Sequence, residues 1–157
     1  MASLDEKKLK IAREISQDFF AKLAVKAEIE VEDKDEGSLS VVLIGEDLGL
    51  LIGYHGETLE SLQLLLSLII NKQFGEEEWL AVSLDVGGWR AERQETLKKL
   101  AEEATARVKE TGRPVHLSPM SSSQRRFVHL YLQNFPELES HSEDDGSARH
   151  IVVASKE

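Results

Sequence analysis

Arg125 and His129 stand four residues apart, a spacing that on a helix separates two side chains by about 40° around the axis. Arg126 and Gln133 fall within about 100° of Arg125, so the four make one polar stripe. Phe127, Val128, Leu130, Tyr131, Leu132 and Phe135 fill the rest of that helix. A guanidinium presents a planar fork of donors suited to phosphate oxygens. An imidazole N–H one turn along can donate to the same phosphate or the next. Ser121, Ser122 and Ser123 add hydroxyls at the positive end of the helix. A second group lies upstream, in Gly53-Tyr54-His55-Gly56. Two glycines let the main chain approach a phosphodiester without a side-chain clash. A helix starting at Glu57 aims its free amides at that loop and favours an anion there. Tyr54 can stack on a base. His55 hydrogen-bonds when neutral and gains charge below about pH 6.5.

Other chemistries fit poorly. The two glycines follow a short helix rather than a strand, which argues against a dinucleotide fingerprint. No Gly-Lys-Ser/Thr follows them, so a P-loop fails. A serine hydrolase lacks its GxSxG elbow. The chain has no cysteine, which removes thiol catalysis, disulfides and thiolate zinc sites. Carboxylates are plentiful but sit on charged faces, with no apolar surroundings to raise a pKa. Ribonuclease chemistry through His129 and Arg125 needs a second acid–base group, and the sequence shows none. His55, His116, His129, His141 and His150 make no closely spaced ligand pair. His141 and His150, with residues 143–145, can approach across a final hairpin and hold a metal, but exposed strand positions around an acidic turn explain them better. The expectation is no catalytic residue, no metal, no cofactor and no small-molecule substrate.

The elements that position these groups are legible in part. Ser3 with Glu6 reads as a capping box opening a helix over about 4–24. Ala27, Ile29 and Val31 alternate with Lys26, Glu28, Glu30 and Glu32, which predicts a half-buried strand over 26–33. Asp35-Glu36-Gly37-Ser38 is a turn into a second strand, 39–44. A short helix over 48–52 precedes the glycine loop. A long one follows from Glu57 to about Gln73, with Leu59, Leu62, Leu65, Leu66 and Ile69 inward. Residues 80–86 make a third strand. Gly87-Gly88 breaks the pattern and sets a domain boundary, giving domains 1–87 and 88–157. Beyond it, Trp89 to about Thr111 reads as a helix with Leu97, Leu100, Ala101, Ala104 and Val108 on one face. Gly112 and Pro114 end it. A short strand over 115–117 follows, then a helix opened by Ser121 and Gln124 and running to about Asn134. Strands over 138–142 and 149–154 close the chain, joined by a turn holding Asp144-Asp145-Gly146. The fold class is α+β in two small domains, ordered α-β-β-α-α-β and α-β-α-β-β.

The chain has 157 residues, 41% of them hydrophobic, with a net charge of -10. That suits one large domain or two small ones, with enough apolar mass for packed cores. The N-terminus lacks the apolar centre of a signal peptide, and the longest apolar run, Leu64 to Ile70, is far too short to span a bilayer. A cytoplasmic protein without membrane insertion is expected. The charge is uneven. Residues 1–86 carry 8 basic and 18 acidic side chains, whereas 87–136 carry 9 and 5. A polyanion is therefore met by the second half. Arg90, Arg93, Lys98, Lys99, Arg107, Lys109 and Arg113 can widen its positive surface.

With the loop set in this element order, residues 51–63, LIGYHGETLESLQ, resemble the motif of a type II KH domain, whose GxxG loop clamps about four backbone nucleotides of a single strand. That family commonly has lysine or arginine at a central loop position, where this chain has Tyr54 and His55. The block PMSSSQRRFVHLYLQ resembles the signature of the R-3-H domain, a single-stranded nucleic-acid-binding module. An acidic residue is usual there just before the first arginine, where this chain has Gln124. Ser142, Gly146 and Arg149 resemble part of that module's closing strand pair, which makes Arg149 a further phosphate contact. The order of the two domains, and their junction VSLDVGGWRAERQETL, resemble the bacterial Jag family, also called KhpB or EloR. Other members carry an extra N-terminal domain and charged linker; residue 1 lies a few positions before the first helix, so both are expected to be missing. The resemblance implies binding of single-stranded RNA, or single-stranded DNA, through Gly53, Tyr54, His55, Gly56, Arg125, Arg126, His129, Gln133 and Arg149. It also implies pairing with a small KH-only protein and a link to cell elongation or division. The acidic first half supports a different reading, a protein-interaction scaffold that keeps KH architecture without nucleic-acid contact.

Overall fold

The computed structural model describes residues 4–34, 37–75 and 79–156. The chain forms two units, dividing between Trp89 and Arg90. In the first, α1 (Glu6–Lys22), β1 (Glu28–Lys34), β2 (Ser38–Ile44), α2 (Gly49–Ile52), α3 (Glu57–Phe74) and β3 (Val82–Val86) follow the expected α-β-β-α-α-β order. In the second, α4 (Trp89–Thr111, its first residue belonging to the first unit), β4 (Val115–His116), α5 (Ser122–Leu132), β5 (Leu138–Glu143) and β6 (His150–Ser155) follow the expected α-β-α-β-β order. The α+β class holds for both.

The first sheet has the order β1-β2-β3, antiparallel then parallel. Strand β1 buries Val31 and exposes Glu28, Glu30 and Glu32, the alternation its sequence predicts. Helices α1 and α3 cover one face of the sheet through Phe20, Leu59, Leu66 and Ile70, which pack on Val41, Leu43 and Leu84. Polar ties fix α3 to strand β3. The Leu84 N–H donates to Gln63 Oε1 at 2.9 Å. Buried Asn71 donates to the Leu80 carbonyl at 2.9 Å and accepts from its N–H at 2.7 Å. These bonds satisfy main-chain groups that would otherwise be stranded as the chain enters the edge strand.

Two expectations need correction here. The cap of α1 is Asp5, whose Oδ1 accepts from the Lys8 N–H at 2.6 Å. Glu6 is therefore the first helical residue rather than the third. Ser3, and Asp35 and Glu36 of the expected turn, lie outside the described residues. In α3, Leu65 and Ile69 point outward. They join Leu64, Leu68 and Trp79 among the exposed large apolar side chains, while Ile70, Ser67 and Asn71 are buried instead. The leucine-rich run satisfies more than one helical face, and the sheet selects the face that Leu59, Leu66 and Ile70 share.

In the second unit the sheet order is β4-β6-β5, antiparallel throughout. Leu97, Ala101, Ala104 and Val108 of α4 pack with Val128 and Leu132 of α5 on Ile151 and Val153 of β6. Gly112, at φ 66°, ends α4 with its N–H on the Val108 carbonyl, in the left-handed geometry that favours glycine. No helix among the described residues is long and apolar enough to cross a membrane.

Candidate functional site

The glycine loop is a backbone device. Gly53 (φ 70°, ψ -170°), His55 (φ 51°) and Gly56 (φ 88°) carry positive φ in a single 3-10 turn between α2 and α3. The Gly53 geometry is open essentially to glycine alone. A methyl on Gly53 would collide with Thr58, and one on Gly56 with the ring of Trp89. The loop is therefore drawn tight against its own helix on one side and an indole on the other. Gly56 also serves as the N-cap of α3 with no side-chain cap, which leaves first-turn amides facing the loop.

Tyr54 stacks on His55, with ring centroids 4.0 Å apart and planes 15° from parallel. The Tyr54 side chain stays 67% exposed, so the pair is a small aromatic platform. Neither central loop position holds a lysine or an arginine, and the first turn of α3 carries Glu57 and Glu60. Those acids offset the positive helix end. Any anion here is held by main-chain N–H groups and stacking, with little help from charge.

The second group is better equipped electrostatically. Ser121 caps α5, its hydroxyl accepting from the Gln124 N–H. Arg125, Arg126 and His129 line a groove of about 370 Å³ together with Ser122, Ser140, His141, Ser142 and Ile151. Arg125 is half-buried and held in place, Nη1 donating to the Met120 carbonyl at 2.7 Å. That bond consumes one of its five donors and pre-orders the rest. His129 Nδ1 meets Ser140 Oγ at 2.7 Å, which orients the ring and leaves Nε2 as the second hydrogen-bonding atom. Arg126 is exposed at the groove. The arrangement offers two guanidiniums, the His129 imidazole and three hydroxyls to a single anionic ligand, with His141 at its border.

Gln133 and Arg149 do not line this groove. Gln133 is the C-cap residue of α5, bonded through its N–H to the carbonyls of Leu130 and Tyr131. Arg149 follows the 3-10 turn 146–148, and its carbonyl accepts from the Met120 N–H at 3.2 Å. Several surrounding cations are engaged. Lys98 pairs with Glu95 and Lys109 with Glu137, each at 2.6 Å. Arg93 donates to Gln124 Oε1 at 3.1 Å. At the position before Arg125 an amide thus meets the Arg93 guanidinium where a carboxylate would have cancelled its charge.

Sequence reasoning missed Ser140 and Trp89. Ser140 and Ser142 alternate with His141 and Glu143 along β5, and that period of two was the available signal. Trp89 had no local signal, since its contact with Gly56 spans the whole of α3 and β3.

Two family models match the chain: "KhpA/KhpB, KH domain" over residues 10–80 and the R-3-H domain over residues 95–155. Among curated proteins, "RNA-binding protein KhpB" of Clostridium symbiosum is 37% identical over 146 residues, covering 92% of this chain and 65% of the relative. The Bacillus subtilis protein of the same name is 31% identical, covering 85% of this chain and 64% of the relative. That of Lactiplantibacillus plantarum is 40% identical over 106 residues, covering 68% and 32%. The chain spans less than two thirds of the length of these relatives.

Proposed function

Because the chain belongs to the Jag (KhpB) family, we propose that it binds single-stranded RNA, with a KH domain over 1–87 and an R-3-H domain over 88–157 as separate holds. The observation that carries the reading is the convergence of Arg125, Arg126 and His129 on one serine-lined groove. The relatives' names supply RNA as the polyanion. In this reading the R-3-H groove grips phosphates by charge. The loop from Gly53 to Gly56 admits a backbone by shape and offers Tyr54 and His55 for stacking. Gln133 and Arg149 extend the contact along the strand. The protein is a cytoplasmic binder with no chemistry of its own.

Fluorescence anisotropy with mixed-sequence single-stranded RNA at two salt concentrations tests this. Affinity should fall as salt rises, and Arg125→Ala with His129→Ala should weaken it at either concentration. An intact fold with undiminished affinity in that double variant would remove the R-3-H clamp from the account. A matched single-stranded DNA measures the preference for RNA.

The outward face of α3 favours a second role alongside the first. Leu64, Leu65, Leu68 and Ile69 on that face, and Trp79 beyond the helix beside Leu68, are each between 42% and 67% exposed. A cluster of that kind marks an interaction surface, and a small KH-only protein is the partner we assign to it. Leu65→Lys should abolish co-elution with such a partner in size-exclusion chromatography and leave RNA affinity unchanged. Partners recovered only before ribonuclease digestion would count against direct pairing. Partners recovered after it, from a chain that binds no RNA in the anisotropy assay, would favour the scaffold reading.

A further inference from the structure

The outer face of the second sheet gathers histidines from three strands. Strands β4 and β5 both flank β6, and Val152 of β6 pairs with His116 on one side and His141 on the other. Glu143 pairs with His150, two residues earlier on β6. Ile151 and Val153 belong to the core, so Val152 and these four residues share the opposite face. That face is turned away from α5, to which Ser140 is bonded through His129.

The distances suit a shared ion. His116 Nδ1 lies 2.9 Å from His150 Nε2 and 3.9 Å from Glu143 Oε2. One donor atom from each of the three residues falls within 4.8 Å of the other two. Two imidazole nitrogens on a tetrahedral zinc stand about 3.3 Å apart, from bond lengths of about 2.0 Å, so the pair needs to open only slightly. His150 is also prepared. Its side chain is 12% exposed, and its Nδ1 sits 3.0 Å from the Ala148 carbonyl. A carbonyl only accepts, so Nδ1 carries the proton and Nε2 presents its lone pair to His116. A histidine ligand is normally fixed by that kind of outer hydrogen bond. Glu143 is steadied in turn by His141 Nε2, 2.9 Å from Oε1, which leaves Oε2 for the ion.

We infer that His116, Glu143 and His150 form a binding site for a divalent transition-metal ion of the zinc class, with His141 positioning the carboxylate. Two imidazoles and one carboxylate from three strands suit a borderline cation and suit calcium or magnesium poorly. The three ligands lie on the face of the sheet turned away from the RNA-binding groove, and of these four side chains only His141 also borders that groove. Its structural effect is local. Strand β4 is only two residues long, and an ion shared by His116 and His150 fastens it to β6.

Isothermal titration calorimetry of the full chain with zinc chloride in a non-chelating buffer tests the site, with calcium chloride as the contrasting arm. The expected result is one zinc per chain, no calcium, and affinity reduced about tenfold or more in His116→Ala and in Glu143→Gln. Both side chains are half-exposed, so neither change disturbs the core, and circular dichroism checks the fold of each. Cobalt(II) bound in place of zinc should give visible absorption that each variant diminishes. No heat at about 100 µM zinc, equal binding of calcium, or a zinc site that survives both substitutions would overturn the inference.

Discussion

Replacing Gly56 with alanine should destabilise the first unit by about 2–5 kcal/mol, through two separable causes. The backbone holds φ at 88°, where a side chain costs about 1–2 kcal/mol. The new methyl also meets the six-membered ring of Trp89, and overpacking of this kind costs about 1–3 kcal/mol. Gly49 is the control. It lies in α2 with nothing within 4 Å of an added methyl, so Gly49→Ala should be neutral or stabilise by up to about 1 kcal/mol. Urea unfolding followed by tryptophan fluorescence isolates the right unit, because both tryptophans, Trp79 and Trp89, precede the division of the chain. In a Trp89→Ala background, with Trp79 still reporting, the collision is gone and Gly56→Ala should cost only the backbone term, about 1–2 kcal/mol. An equal cost in both backgrounds would refute the idea that Trp89 shapes the loop. A cost for Gly56→Ala below about 0.5 kcal/mol would refute the strained geometry as well.

Three further outcomes follow from the same geometry. Arg126→Gln should lower the slope of log affinity against log salt for single-stranded RNA by about 0.7, the value of one phosphate contact, and an unchanged slope would place Arg126 off the strand. Asn71→Ala should cost about 2–4 kcal/mol in urea unfolding, since it strands both main-chain groups of Leu80 in a buried setting; a cost below about 1 kcal/mol would show that water replaces the amide. The hydrogen bond from Lys109 holds the Glu137 carboxyl below its ordinary range, so its stabilising effect is present above the usual glutamate pKa and is lost as pH falls through the lowered folded value. Lys109→Met should move the Glu137 midpoint up toward the ordinary range in a carboxyl NMR titration, with the carboxylate's own main-chain hydrogen bond keeping part of the lowering; an unmoved midpoint would assign the shift to another cause.

Local chemistry alone placed much of this protein. The start of α4 at Trp89 and its end at Thr111 are written in Gly87-Gly88, Gly112 and Pro114, residues whose backbone preferences act without the rest of the fold. Strand β1 announced its buried face because every other residue is charged. The GxxG loop and the Arg125–His129 spacing were legible for the same reason: each depends on a few consecutive residues in a regular element.

Tertiary packing decided the rest. Sequence set Leu65 and Ile69 inward, and the sheet took Ile70 and Asn71 instead, because a helix apolar on most sides leaves the choice to its neighbours. Trp89 under Gly56, Ser140 against His129, and His116 beside His150 join residues between 11 and 34 positions apart. No local pattern encodes such pairs, since strand register and helix docking fix them only when the cores close.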